Sequence, residues 1–453
     1  MNKSSLALLS GFFLFACVHC SGDKTKDQGA IKGLTYEEDL KAVNRAWEKA
    51  KTGEEKVQLG NEFLKRHKER PEIVDIIESI AINGYLKELK DPDRMMVFAQ
   101  EQTADLGDPK LKKQAELMFV RLCSEALDRD CLRKHVNELK SKHALSLKEH
   151  EEISAAALKA KDWETAQLYS NMLLKQNTAA TIRAEAGNQI LSEDQVNDAI
   201  DHNRCRGLLR LGKALTGKGD LDAAIAIYRK ASQSATYNYA GFPNLPYRDL
   251  NLLWAQTLLQ KGDYQTAIEK ISVDAIICER EDARAVLKKA YEMAKPGDDV
   301  EEFIDHTRTR IAKLIPELQV VDYDGKKVRY NKLKGKVTLI SCWSPFCGPC
   351  RVELPRLKPI YEEFHKRGLE ILVIDGENDT RNALKFIKET GLPYQFLESG
   401  SKEGKIGQGL FGYPSYPMSY LIDKNGKLVY ANFGYSDGDE EEHRRRIVRF
   451  LNE

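Results

Sequence analysis

Apolar residues recur at helical spacing through Lys110 to Leu127, Leu147 to Leu158, Trp163 to Leu174 and Leu208 to Ala231, and each stretch predicts an amphipathic helix. Later in the chain the period becomes that of strands. Gln319 to Val328 predicts a hairpin turning at Asp324-Gly325, and Val337 to Cys342 is a near-continuous apolar run suited to a strand buried on both faces. Leu369 to Asp375, Met418 to Asp423 and Leu428 to Phe433 are three further strands. Helices are expected between them at Cys350 to Arg367, kinked at Pro355, and at Arg381 to Thr390, with one more at the end. Proline follows the same division: none falls between Lys110 and Phe242, and eight of 14 fall from Pro316 onward. The fold class expected is an α-helical repeat or bundle followed by an α/β domain with a mixed central sheet and helices on both faces.

Three helical segments share one turn. Lys161-Asp162-Trp163, Lys218-Gly219-Asp220-Leu221 and Lys261-Gly262-Asp263-Tyr264 each place an Asp able to cap the following helix, then a large apolar or aromatic residue, then Ala three positions on. This resembles the central turn of a tetratricopeptide repeat. The Asp positions are 58 and 43 apart, so such repeats would be irregular or separated by extra helices. A helical array of this kind serves either as a partner-binding groove or as a scaffold presenting the other domain.

Composition narrows the function classes. With 70 Lys plus Arg against 69 Asp plus Glu the formal charge is +1, so no global field recruits nucleic acid. The Arg444-Arg445-Arg446 run lies on a terminal helix whose apolar face is Ile447, Val448, Phe450 and Leu451. At the other end, Lys3 followed by an apolar stretch from Leu6 to Ala16 predicts an export signal, too short for a membrane span. Leu14-Phe15-Ala16-Cys17 resembles the bacterial lipobox, which implies lipidation of Cys17 after removal of residues 1–16. Ordinary cleavage after Ala16 or Ser21 is the other reading. A polar stretch from Ser21 to Gly29 would act as a tether.

Nine cysteines occur, and two of them carry the chemistry. Cys347-Gly348-Pro349-Cys350 stands where a strand turns into a helix, and the unpaired N–H groups of a first helical turn favour a thiolate. A free thiol titrates near ~8.5 and such positions bring it to roughly 3.5–7.5, so a nucleophilic sulfur at neutral pH is expected. A zinc half-site or a structural bridge are the competing readings, but no second C-x-x-C or spaced His pair supplies further zinc ligands, and no metal is expected. Of the remainder, Cys123 and Cys131 flank a helix–helix corner where a local bridge is possible, and Cys342 is expected buried in its strand.

From about Ile315 to Glu453 the chain resembles the thioredoxin superfamily, in particular its exported TlpA/ResA-like branch. The resemblance rests on Asp324-Gly325-Lys326, Leu333-Lys334-Gly335-Lys336, Trp343 ahead of the redox motif, Glu353-Leu354-Pro355, and Pro417-Met418-Ser419-Tyr420-Leu421-Ile422-Asp423, in that order. It implies that Cys347 attacks and Cys350 resolves, that the two form a disulfide, and that Pro417 is a cis-proline beside them. It further implies a proton-transfer role for Glu353, because Ser341 stands where cytoplasmic thioredoxins keep a buried Asp. Trp343, Phe346, Tyr416 and Pro417 would form the substrate-facing surface. Phe346 and Tyr416 depart from the commoner Trp and smaller residue at those places.

The function expected is an exported thiol-disulfide oxidoreductase that needs no cofactor and acts on protein thiols and disulfides. It would be lipid-anchored in a bacterial cell envelope, facing the periplasm, and coupled to a membrane-bound electron donor or acceptor. Its parts would be a signal peptide (1–16), a lipidated cysteine and tether (17–35), a helical domain (36–313) that sets partner choice, and the thioredoxin-like domain (314–453). The rival is a helical binding module whose thioredoxin-like domain only docks. An intact pair of cysteines favours the enzyme, since docking needs neither sulfur.

Overall fold

The computed structural model describes residues 35–235, 247–315, 319–329, 335–377, 379–398 and 416–453. The expected signal peptide, Cys17, Cys20 and the tether from Ser21 lie outside them. Among the described residues no helix is long and apolar enough to cross a membrane. The chain divides into two compact units, 1–218 and 219–453.

The first unit is helical. It comprises α1 (Tyr36–Lys49), α2 (Gly53–Arg66), α3 (Ile73–Ile80) continuing as a π-helical stretch (Ala81–Glu88), α4 (Pro92–Thr103), α5 (Pro109–Glu125), α6 (Arg129–Lys142), α7 (Leu147–Lys159), α8 (Trp163–Gln176), α9 (Ala179–Glu185) and α10 (Glu193–Lys218). The second unit opens with α11 (Leu221–Ser234), α12 (Leu250–Lys261), α13 (Tyr264–Ser272) with a π-helical turn (Val273–Ile277), α14 (Glu281–Ala294) and α15 (Val300–Ile311). The domain boundary expected at 313/314 therefore falls inside a compact unit that begins at Gly219.

The turn seen three times in the sequence has one local geometry. Lys161, Gly219 and Gly262 adopt left-handed backbone, and the side chains of Asp162, Asp220 and Asp263 each accept an N–H from the next helix. Ala166, Ala224 and Ala267, three positions into the helices that follow, are fully buried. Two more turns of the same form, Lys90-Asp91 and Leu127-Asp128, precede α4 and α6. The helical spacing from Leu208 to Ala231 spans one of these turns, at the Lys218-Gly219-Asp220 expected from sequence. At Leu127-Asp128 the sulfurs of Cys123 and Cys131 are joined, tying α5 to α6. His135 brings a ring nitrogen within 4.8 Å of those sulfurs, but with each sulfur bonded to the other the trio offers no open ligand set.

The rest of the second unit is a seven-stranded sheet: β1 (Gln319–Val321), β2 (Lys327–Arg329), β3 (Val337–Trp343), β4 (Leu369–Asp375), β5 (Gln395–Glu398), β6 (Met418–Ile422) and β7 (Leu428–Phe433), in the order β2-β1-β5-β4-β3-β6-β7. Strands β3, β4 and β5 run parallel, and the two flanks pair antiparallel. Every residue of β3 is buried, which is why its sequence reads as an apolar run rather than an alternation. Each such buried aliphatic side chain contributes about 1.5–3 kcal/mol. Between and after the strands come α16 (Gly348–Arg356), α17 (Lys358–Phe364), α18 (Thr380–Thr390) and α19 (Asp439–Asn452). The helix expected from Cys350 to Arg367 is thus two helices that meet at Leu357. Pro355 lies within the last turn of the first, and its missing N–H breaks the ladder there.

Helices α13 to α15 are fastened to this sheet by a buried ion cluster. Glu279 accepts from Arg308 at 3.1 Å and from Arg446 of α19 at 2.6 Å, and both guanidinium groups lie over the Tyr430 ring of β7, at 4.0 and 4.9 Å from its centroid. Arg308 also donates to the Ile276 carbonyl. Burial holds the Arg308 pKa below the ordinary arginine value, with the fields of Tyr430 and Glu279 opposing it.

Candidate active site

Strand β3 ends at Trp343, and the chain turns through Ser344 into α16, so Cys347 becomes the N-cap of that helix. Its sulfur accepts the Cys350 N–H at 3.2 Å, while its own N–H donates to the Ser344 carbonyl at 3.0 Å. Pro349 occupies a first-turn position that needs no N–H donor. The Cys347 and Cys350 sulfurs are joined at 2.14 Å. Cys347 is half-buried and Cys350 has no exposure. A partner sulfur can reach the first and not the second.

Phe346 is 70 % exposed immediately before Cys347, an apolar ring left on the surface beside the reactive sulfur. Cys342 is opposite Met418 in the β3–β6 register, so Trp343 and Pro417 continue the two strands at the same end of the sheet. The Tyr416–Pro417 peptide bond is cis, and Pro417 is buried. Tyr416 is partly buried with its pKa raised by that burial; its hydroxyl lies against Gly376, where any Cβ would come within 1.8 Å of it. Gly376 is therefore required for this approach. Trp343 departs from expectation. The sequence places it on the substrate-facing surface, whereas it is fully buried with Phe386 at 5.0 Å and Phe396 at 5.8 Å, on the inward side of a strand with no exposed face. It supports the motif from beneath.

Glu353 follows Cys350 by one helical turn and is fully buried. Its Oε1 accepts from Ser419 at 2.9 Å and its Oε2 from Ser341 at 3.5 Å, two hydroxyls brought side by side because Ser341 and Ser419 are register partners. His443 of α19, absent from the residues picked out by sequence, places Nε2 3.6 Å from Glu353 Oε1. The signal available was a lone His on the apolar face of the terminal helix, in step with Ile447 and Leu451. On β3 the Cys342 thiol is pushed up to about 12 by burial and then by the Glu353 charge, so it is an inert neighbour rather than a third redox sulfur.

Residues 311–431 match the AhpC/TSA family. The thiol-disulfide oxidoreductase ResA of Bacillus thuringiensis (strain Al Hakam) is 34 % identical over 127 residues, covering 28 % of this chain and 72 % of the relative. The protein of the same name from Bacillus thuringiensis subsp. konkukian (strain 97-27) is 30 % identical over 147 residues, covering 32 % of this chain and 83 % of the relative. The chain belongs to the ResA-like thiol-disulfide oxidoreductase family. A putative thiol:disulfide interchange protein DsbE from Chlorobium tepidum is similar over 31 % of this chain and 96 % of its own, with 22 % identity and a TM-score of 0.29. As a member of this family the protein is a thiol-disulfide oxidoreductase, whose substrates are thiols and disulfides. The helices before residue 311 lie outside the family match.

Proposed function

We propose that the protein is an exported, lipid-anchored oxidoreductase of the bacterial cell envelope that exchanges disulfides with protein partners through Cys347 and Cys350. The observation that carries this is the unequal exposure of two bonded sulfurs at a helix N-terminus, Cys347 reachable and Cys350 buried. In the reducing direction the Cys347 thiolate attacks a partner disulfide, forming a Cys347–partner bond as the partner's second sulfur leaves with the electron pair and takes up a proton. Cys350 then attacks Cys347, the partner departs as a dithiol, and two electrons have passed from the enzyme pair to the partner. The reverse sequence oxidises a dithiol, and relative potentials set the direction. Phe346, Tyr416 and Pro417 form the surface the partner strand meets, with Glu353 as the proton acceptor behind it. A membrane-bound thiol donor or acceptor restores the pair.

Removing the resolving sulfur tests the sequence of steps. Cys350→Ser is expected to accumulate mixed disulfides at Cys347 that survive non-reducing electrophoresis and vanish with dithiothreitol; no accumulation would reject Cys347 as the attacking group. In this division of labour the helices between residues 36 and 313 set partner choice. Chains of residues 219–453 carrying the same substitution should therefore trap fewer partners than the full chain, and an unchanged partner set would reduce the first unit to a spacer.

Anchoring is read from Leu14 to Cys17. Cys17→Ala is expected to move the protein from the membrane pellet to the soluble fraction, measured by cell fractionation, and unchanged pelleting would reject lipidation there.

A further inference from the structure

The geometry points to His443 as the charge partner of Glu353, a positioning residue that keeps this carboxylate ionised and so sets the pH at which Cys350 can attack. This rests on the reading of Cys347 and Cys350 given above.

Both groups are almost wholly removed from water: the Glu353 side chain is 1 % exposed and that of His443 4 %. A buried carboxylate without a counter-charge reverts to its neutral form, and two serine hydroxyls offset only part of that cost. Around the pair, Tyr394 ahead of β5 feels the Glu353 charge and donates its hydroxyl to the Leu354 carbonyl, and the other groups come from α16, β3, β6 and α19. From α16 come Glu353 itself and the exposed Arg356, which turns outward to Asp437 and Tyr435. Strand β3 supplies Ser341 and the un-ionised Cys342, and β6 supplies Ser419. On α19 itself Glu442 pairs with Arg445, Glu440 accepts from Tyr435, and Arg446 is committed to Glu279. Among these groups His443 is the buried cation-former left for Glu353. Its Nε2 is buried without a hydrogen-bond partner and stands 3.6 Å from the carboxylate, within ion-pair range.

The chemistry needs such a partner. Before it attacks, the Cys350 thiol must give up its proton in a site closed to water, and Glu353 is one turn away on the same helix face. The proton passes to the carboxylate. The Cys350 electron pair forms the bond to Cys347 while the Cys347–partner bond breaks, and its electrons leave on the partner sulfur, which is protonated from solvent. A Glu353 already neutral cannot accept the proton, so loss of the His443 charge forces the step to higher pH.

The test uses the reduced full-length chain and 5,5′-dithiobis(2-nitrobenzoate). A first equivalent of thionitrobenzoate is released by Cys347 and a second when Cys350 resolves the adduct, with a Cys347→Ser/Cys350→Ser protein as blank for the other thiols. In His443→Gln the pH midpoint of the second phase is expected to rise by about one unit or more, the usual effect of an opposite charge at this range, while the first phase is unchanged. Glu353→Gln should move it likewise, and the double variant should move no further than Glu353→Gln alone. An unmoved midpoint in His443→Gln with an intact first phase overturns the role of His443. Two phases persisting in the blank would overturn the redox-pair reading instead. Where His443→Gln fails to fold, the histidine-15N-labelled chain decides: the imidazole titration assigned to His443 must differ between the parent and Glu353→Gln, and identical curves overturn the proposal.

Discussion

Cys347→Ser is expected to bring disulfide exchange to the level of the uncatalysed reaction while leaving the fold intact. The substitution separates the two roles of this residue. As N-cap, Cys347 accepts the Cys350 N–H, and a serine hydroxyl at the same place is among the preferred caps, so the start of α16 keeps its bond. As nucleophile it has no substitute, because a serine oxygen forms no disulfide and is not ionised at neutral pH. Half-buried Cys347 is also the one sulfur of the pair a partner can reach, with Cys350 fully buried beneath it. Insulin reduction by dithiothreitol, followed by turbidity, should show the uncatalysed lag with the variant, and far-UV circular dichroism should match the parent. A parent-like rate in a folded variant would exclude Cys347 as the attacking group.

Much of this site was legible because its determinants are local. The C-x-x-C spacing, the apolar run before it and Glu353 one turn later are all read within 17 positions, Val337 to Glu353. What was missed depends on distant or disguised partners. His443 meets Glu353 only because α19 packs on the sheet face that carries Ser341 and Ser419, a pairing no local pattern encodes. Trp343 was misplaced because nearness to the reactive sulfur suggested the surface, whereas the buried strand that carries it turns its ring toward Phe386. Strand β5 escaped notice for its shortness: of Gln395–Glu398 only Phe396 and Leu397 are buried. The corner before α6 was read from Leu127-Asp128, whereas the turn before α4 was hidden because Lys90 takes the left-handed backbone that glycine advertises elsewhere. The clamp at Glu279 was equally invisible, since its arginines come from α15 and α19.

That clamp makes the strongest stability prediction. Glu279→Gln is expected to destabilise the second unit by about 3–5 kcal/mol, the usual cost of removing one partner of a buried ion pair. The Glu279 side chain is 8 % exposed, Arg308 2 % and Arg446 10 %, so deleting the central charge leaves two guanidinium groups against the Tyr430 ring without their carboxylate and with little water to screen them. Glutamine keeps the shape and the left-handed backbone demand of this position, which isolates the charge from the packing. Asp305→Asn provides the contrast. It removes a pair with Arg449 of similar length, 2.7 Å, but with side chains 33 % and 55 % exposed, and should cost less than about 1 kcal/mol. Urea unfolding followed by near-UV circular dichroism measures both. The midpoint of the transition that carries the sheet should fall steeply for Glu279→Gln and barely for Asp305→Asn, with an unchanged slope in each. Equal small shifts would mean that hydrophobic packing of α13 to α15 on the sheet, and not the Glu279 cluster, holds this unit together.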